Sequence, residues 1–115
     1  MNDKEKNLEV HLVEIAKAIG KIENFIKDKT REDFLENELI QDAVLRNIQV
    51  IGEAITDLPA EYKDKHQQIP WQLIKNMRNK IVHGYREIDY KIVWVTITTE
   101  LSTLKDQINL LLKEL

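Results

Sequence analysis

The chain contains no cysteine, and that one absence excludes a disulfide framework, a thiolate zinc site and a cysteine nucleophile. Glycine and proline are nearly as scarce, three and two in 115 residues. A β-sandwich needs a turn signal about every 8 to 12 residues, so the few breakers present must delimit long helices instead. No apolar run approaches the roughly 20 residues that span a bilayer, and the amino-terminal Met-Asn-Asp-Lys-Glu-Lys is not followed by the apolar stretch of a signal peptide. A cytoplasmic protein without membrane association is expected. A basic excess is also missing, since 17 Lys and Arg face 20 Asp and Glu for a net charge of −3. General nucleic-acid binders show the opposite balance, so any polyanion site must be local. Neither a phosphate-binding glycine loop, nor a His-Glu-x-x-His helix, nor a nucleophile elbow, nor a calcium loop occurs. The three histidines lie far apart, so neither a metal site nor a cofactor is expected, and His11 and His66 read as solvated surface residues.

Apolar residues make up 43% of the chain, and their spacing is helical. Leu8, Leu12, Ile15, Ile19, Ile22 and Ile26 advance in steps of four and three, one stripe on a first helix that ends near Asp28 and Lys29. Thr30 and Asp33 have the spacing of a capping box and open a second helix. Its stripe is Val44, Ile48, Ile51, Ile55 and Leu58, and it is expected to run unbroken to Leu58. Pro59 to Ile69 reads as a polar loop. Pro70 suits the start of a third helix, Trp71 to His83, and Gly84 suits the left-handed position after it. Asp89 is a fair N-cap for a fourth helix, whose stripe is Tyr90, Trp94, Ile97, Leu101, Leu104, Ile108, Leu111 and Leu115. Within it, Ile92 to Thr99 is rich in β-branched residues and could be drawn as one arm of a hairpin with Lys80 to Tyr85. The stripe continues through that segment, which favours helix. The expectation is an all-α antiparallel four-helix bundle forming one domain over residues 1–115, with apolar seams that suit a homodimer.

Charge is unevenly distributed along this bundle. Between Trp71 and Lys91, the cations Lys75, Lys80, Arg86, Arg78 and Lys91 outweigh Glu87 and Asp89 by three, leaving −6 for the remainder. Within that segment Arg78, Asn79, His83 and Tyr85 crowd one helix end. Arginine offers a permanently charged fork to phosphate oxygens, and histidine can move a proton near neutral pH. No metal ligands accompany them. These are parts for cleaving a phosphodiester with the RNA 2′-hydroxyl as internal nucleophile, and a two-fold dimer would supply a second histidine for the second proton transfer. The residues alone also allow Arg78 and His83 simply to finish the helix by meeting its free carbonyls. On the second helix Asp42, Arg46, Gln49 and Glu53 form a polar stripe, either a solvated face or, through Arg46 and Glu53, the lining of a cleft.

Arg78 through Tyr85 resembles the Arg-x4-His-x-Tyr motif of the HepT-like branch of the HEPN superfamily. Further likeness lies in Asp42-Ala-Val-Leu-Arg-Asn-Ile-Gln-Val-Ile-Gly-Glu-Ala, in Ile69-Pro-Trp71, in Asp89-Tyr90 and in Val93-Trp94. The resemblance implies a helical homodimer acting as the ribonuclease toxin of a type VII toxin–antitoxin pair, cutting mRNA or tRNA without metal. Its partner would be an MntA-type minimal nucleotidyltransferase antitoxin. Carried over, Arg78 and His83 would be catalytic, Asn79 accessory and Tyr85 the acceptor of AMP, while the basic segment itself offers Lys75, Lys80 and Arg86 as phosphate contacts. A nucleotide on Tyr85 would place negative charge two residues from His83, where the RNA phosphate has to sit. The competing reading is a non-catalytic nucleotide- or substrate-binding subunit of such a nucleotidyltransferase.

Overall fold

The computed structural model of the chain describes residues 2–83 and 88–115, with the side chains of residues 80–83 outside the description. Helix α1 spans Asp3–Ile26, opened by Asn2, whose side chain accepts the Glu5 N–H at 2.8 Å. Leu8, Leu12, Ile15, Ile19 and Ile22 of the expected stripe are buried. After Ile26 the backbone turns through Asp28 at φ 60°, a left-handed conformation that aspartate tolerates better than most residues. Thr30 and Asp33 then form the capping box, with the Asp33 N–H donating to Thr30 Oγ1 at 3.1 Å and the Thr30 N–H to Asp33 Oδ2 at 2.9 Å.

The expected second helix is two helices, α2 (Arg31–Glu36) and α3 (Glu38–Asp57). Asn37 leaves helical geometry at φ −116°, ψ 96° and caps α3 by accepting the Ile40 N–H at 3.1 Å. The break has a packing cause. It turns Phe34 fully into the core, where its ring meets Tyr90 at 6.2 Å edge-on and Trp94 at 5.5 Å. Buried Gln41 satisfies the carbonyls that the break frees, donating from Nε2 to Phe34 O at 3.0 Å and Leu35 O at 3.1 Å. The α3 stripe from Val44 to Leu58 is buried throughout.

The segment expected as loop contains a short helix, α4 (Ala60–Asp64). Lys63 extends from it to donate to the Ile55 carbonyl at 3.0 Å, a second bond to a last-turn carbonyl of α3 that also accepts the Leu58 N–H at 3.2 Å. Helix α5 covers Trp71–His83, as the Pro70 signal predicts, and its entry is pinned by Trp71 Nε1 donating to His66 O at 3.1 Å. Gly84, expected to close α5, lies outside the described residues.

Asp89 caps α6 (Tyr90–Thr99), accepting the Lys91 N–H at 2.9 Å, so the β-branched segment is helical and not a hairpin arm. Tertiary burial outweighs local propensity here: Val93, Thr96 and Ile97 face the core and Tyr90 and Trp94 pack on Phe34. The fourth helix is interrupted at Glu100, where α7 (Leu101–Lys113) begins. Thr96, Thr98 and Thr99 donate their hydroxyls back to Ile92 O, Trp94 O and Val95 O at 3.0, 2.7 and 2.6 Å, a pattern that bends helices. Leu101, Leu104, Ile108 and Leu111 continue the buried stripe along α1, whereas Leu115 at its end is exposed. Four rods therefore remain, α1, α3, α5 and the bent α6–α7 pair, in an all-α antiparallel bundle with no strand among the described residues. Among those residues no helix is long and apolar enough to cross a membrane.

Candidate active site at the seam of α3 and α5

Helix α5 lies against α3, with Ile74 buried between them and Met77 half-buried beside it. One residue further along, Arg78 crosses α3 at Gly52. A Cβ on Gly52 would fall on Arg78 Cβ and stand 2.6 Å from its Cγ and 3.4 Å from its Cδ. The arginine stem thus lies directly on glycine backbone. Its head is held sideways, with Nη1 donating to the Asn79 side-chain oxygen at 3.2 Å, while Nε is enclosed without an acceptor. No ion pair among the described residues includes Arg78. The site therefore holds a permanent cation that no carboxylate among the described residues pairs with, as an anion-binding position requires.

Asn79 and Lys75 are half-buried on α5 as Arg78 is, and Lys75 stands one turn before both, three positions from Arg78 and four from Asn79. Lys75 also acts on Lys63 of α4. Burial pushes the Lys63 ammonium below its ordinary value and repulsion from Lys75 lowers it further, against a smaller opposing effect of Asp64. Positive charge thus continues from α5 onto α4. His83 is the last residue of α5, five positions beyond Arg78, about 7.5 Å along the helix axis. The side chains of His83 and Lys80, and Tyr85 and Arg86 entirely, lie outside the described residues.

The polar stripe on α3 divides. Asp42 and Arg46 are exposed, while Gln49 and Glu53 flank Gly52, half-buried and joined by a hydrogen bond from Gln49 Nε2 to Glu53 Oε1 at 3.2 Å. Glu53 is therefore close to the crossing and Arg46 is solvated. Among the described residues no group of three His, Cys, Asp or Glu side chains could hold a metal. His11 departs from its expected solvated state: it is half-buried beside a cleft of about 190 Å³ with Lys4, Asn7 and Asp57, and its Nδ1 is enclosed without a partner. His66 is half-buried as well, its ring 4.7 Å from that of Tyr62.

Sequence reasoning did not single out Gly52 or Lys63. Gly52 had a signal, since a glycine inside a helix costs about 0.5–1 kcal/mol relative to alanine, and three glycines in the chain make each one informative. Lys63 had none, because its role depends on where α4 folds back onto the end of α3.

The helical bundle and the Arg78–His83 segment define a class, and comparison with known proteins agrees with it. The ribonuclease HepT-like family matches residues 15–111, and the chain belongs to that family. It is similar to a probable ribonuclease HepT of Thermococcus cleftensis, 37% identical over 103 residues that cover 90% of this chain and 94% of that one. A candidate RNase of Methanocaldococcus jannaschii is 34% identical over 110 residues, 96% of this chain and 95% of the relative. A second protein of that organism, named for gamma-glutamylcyclotransferase and candidate RNase activities together, is 36% identical over 110 residues. That match covers 96% of this chain but half the length of the relative. No solved structure matches.

Proposed function

We propose that the chain is a metal-independent endoribonuclease, acting as the toxin of a type VII toxin–antitoxin pair. One observation carries the reading: the Arg78 stem is fixed against α3, its guanidinium paired with no carboxylate among the described residues, on the helix that ends in His83. In the proposed reaction the RNA 2′-hydroxyl attacks the adjacent phosphorus as a base removes its proton. The bond to the 5′-oxygen breaks, an acid returns a proton to that oxygen, and a 2′,3′-cyclic phosphate remains. Arg78 stabilises the charge that grows on the phosphate. His83 from each of two protomers, across a two-fold cleft, supplies base and acid. Ile92 and Val95, exposed on α6 at 59% and 56%, are apolar surface suited to such a contact. Lys75, Lys80 and Arg86 would hold flanking phosphates, Asn79 orients the arginine head, and Glu53 lines the cleft.

Purified wild type and His83→Ala are incubated with total mRNA and tRNA in excess EDTA. The reading expects cyclic phosphate termini from the wild type alone, and fails if EDTA abolishes cleavage or the variant cuts equally well. Neutralisation would proceed by the Tyr85 hydroxyl attacking the α-phosphorus of ATP, with loss of pyrophosphate. Incubation with a neighbouring MntA-type nucleotidyltransferase and ATP should add mass in units of AMP, and Tyr85→Phe should prevent it. A tight complex without covalent change would favour a binding subunit.

A further inference from the structure

We infer that Gly52 is a positioning residue for Arg78, its missing side chain setting the depth at which the arginine stem lies on α3 and hence where the guanidinium stands. The backbone does not require this glycine, since Gly52 sits inside a continuous α-helix without left-handed geometry. Space requires it. Three successive carbons of the Arg78 stem occupy the volume a side chain would take, and the two nearest are the stiff base of the side chain, Cβ and Cγ. Gly20, also helical, is a natural contrast because a Cβ there meets nothing within 4 Å. The two glycines thus separate the generic cost of glycine in a helix from the particular need at the seam.

Carbon atoms pack at about 3.5–4.0 Å, so a methyl group on Gly52 forces the stem or the whole of α5 away by roughly an ångström. If the stem alone yields, the guanidinium leaves the Asn79 oxygen, and if α5 moves as a body the arginine and Asn79 stand off α3 together; either movement opens the enclosed Nε to water. A displacement of this size at a group that stabilises a transition state costs on the order of 100-fold in rate. The kinetic consequence rests on the ribonuclease reading, whereas the placement of the arginine does not.

The test compares Gly52→Ala with Gly20→Ala in the full chain. For Gly52→Ala we expect kcat on RNA to fall roughly 100-fold with KM changed only a few-fold, and Gly20→Ala to stay within about twofold of wild type. In parallel, the Arg78 Nε–H proton–nitrogen resonance, assigned by its disappearance in Arg78→Lys, should exchange slowly with water in the wild type and in Gly20→Ala. In Gly52→Ala it should shift and exchange fast. A purely structural glycine would lower Tm without moving this resonance or separating kcat from KM. A folded Gly52→Ala with the wild-type resonance and kcat overturns the inference. A wild type that cleaves no RNA removes the ribonuclease reading, and the resonance then decides the role of Gly52 alone. If Gly52→Ala does not fold, the double variant with Arg78→Gly decides: recovery of folded protein supports the steric relationship, and failure to recover overturns it.

Discussion

The side chain of Gln41 donates to the main-chain carbonyl of Phe34 at 3.0 Å, and through this bond the first turn of α3 holds the last turn of α2. The same amide nitrogen reaches Leu35 O at 3.1 Å. Phe34 O also accepts the Asn37 N–H at 3.4 Å, so the Leu35 carbonyl is the one that depends on this amide. Replacing Gln41 with leucine preserves the volume and removes the donor. An unsatisfied buried polar group costs about 1–3 kcal/mol, so Gln41→Leu should lower the urea midpoint by that equivalent while leaving the m-value unchanged. A midpoint equal to wild type would mean that water replaces the amide freely.

Acid stability should depend visibly on the capping box. Hydrogen bonds to Asp33 from the Thr30 backbone and then from its hydroxyl hold the Asp33 carboxyl below its ordinary value, with a smaller contribution from the Lys29 charge. The folded value is therefore depressed relative to the unfolded one. The corresponding stability is present above the unfolded value of about 3.9 and is lost as pH falls through the folded value. Thr30→Ala removes the hydroxyl partner. Urea midpoints followed from pH 6 to pH 2 should fall less steeply below pH 4 in Thr30→Ala than in the wild type, and parallel curves would show that the cap does not bind the charged form preferentially.

Legibility in the sequence followed the range of the interaction concerned. The capping box at Thr30, the Pro70 entry to α5 and the Asp89 cap are local devices, each complete within four residues, and each stands where the pattern put it. The break at Asn37 is different. The α2 and α3 sequences are both helical, and what stops the helix is the gain from seating Phe34 beneath Tyr90 and Trp94, more than 50 residues away in the chain. Gly52 was conspicuous as a glycine inside a helix, but the reason for it was not readable, because its requirement comes from Arg78 on another helix. At the candidate site the chemical types and spacing of Arg78 and Asn79 were readable. Their hydrogen bond, and the lack of a carboxylate partner for Arg78 among the described residues, depend on how α5 is set against α3 and were not.

The short ion pair between Lys105 of α7 and Glu23 of α1, at 2.9 Å, should contribute little despite its geometry. Both side chains are more than a third exposed, and such pairs typically yield about 0.2–1 kcal/mol in water while being screened by salt. Lys105→Met should therefore shift Tm by no more than a few degrees, with the difference shrinking in 1 M salt. A loss that persists at high salt would place the effect in the packing of the lysine stem between α1 and α7.

Arg78 should show stability and activity moving in opposite directions. Its Nε is enclosed without an acceptor, a local cost that folding alone does not justify, and its charge has no carboxylate partner among the described residues. Arg78→Met keeps an unbranched stem over Gly52 and removes both the unbonded donor and the charge. On the ribonuclease reading this variant loses a preorganised group worth about 100- to 1,000-fold in kcat. Stability should nevertheless be unchanged or higher by up to about 1 kcal/mol, since removing an unpaired buried polar group is neutral or favourable. Urea unfolding and single-turnover cleavage on the same preparation provide the comparison. If the variant is instead destabilised by 2 kcal/mol or more, Arg78 is primarily a structural clamp between α3 and α5, and the assignment of its guanidinium to phosphate binding falls.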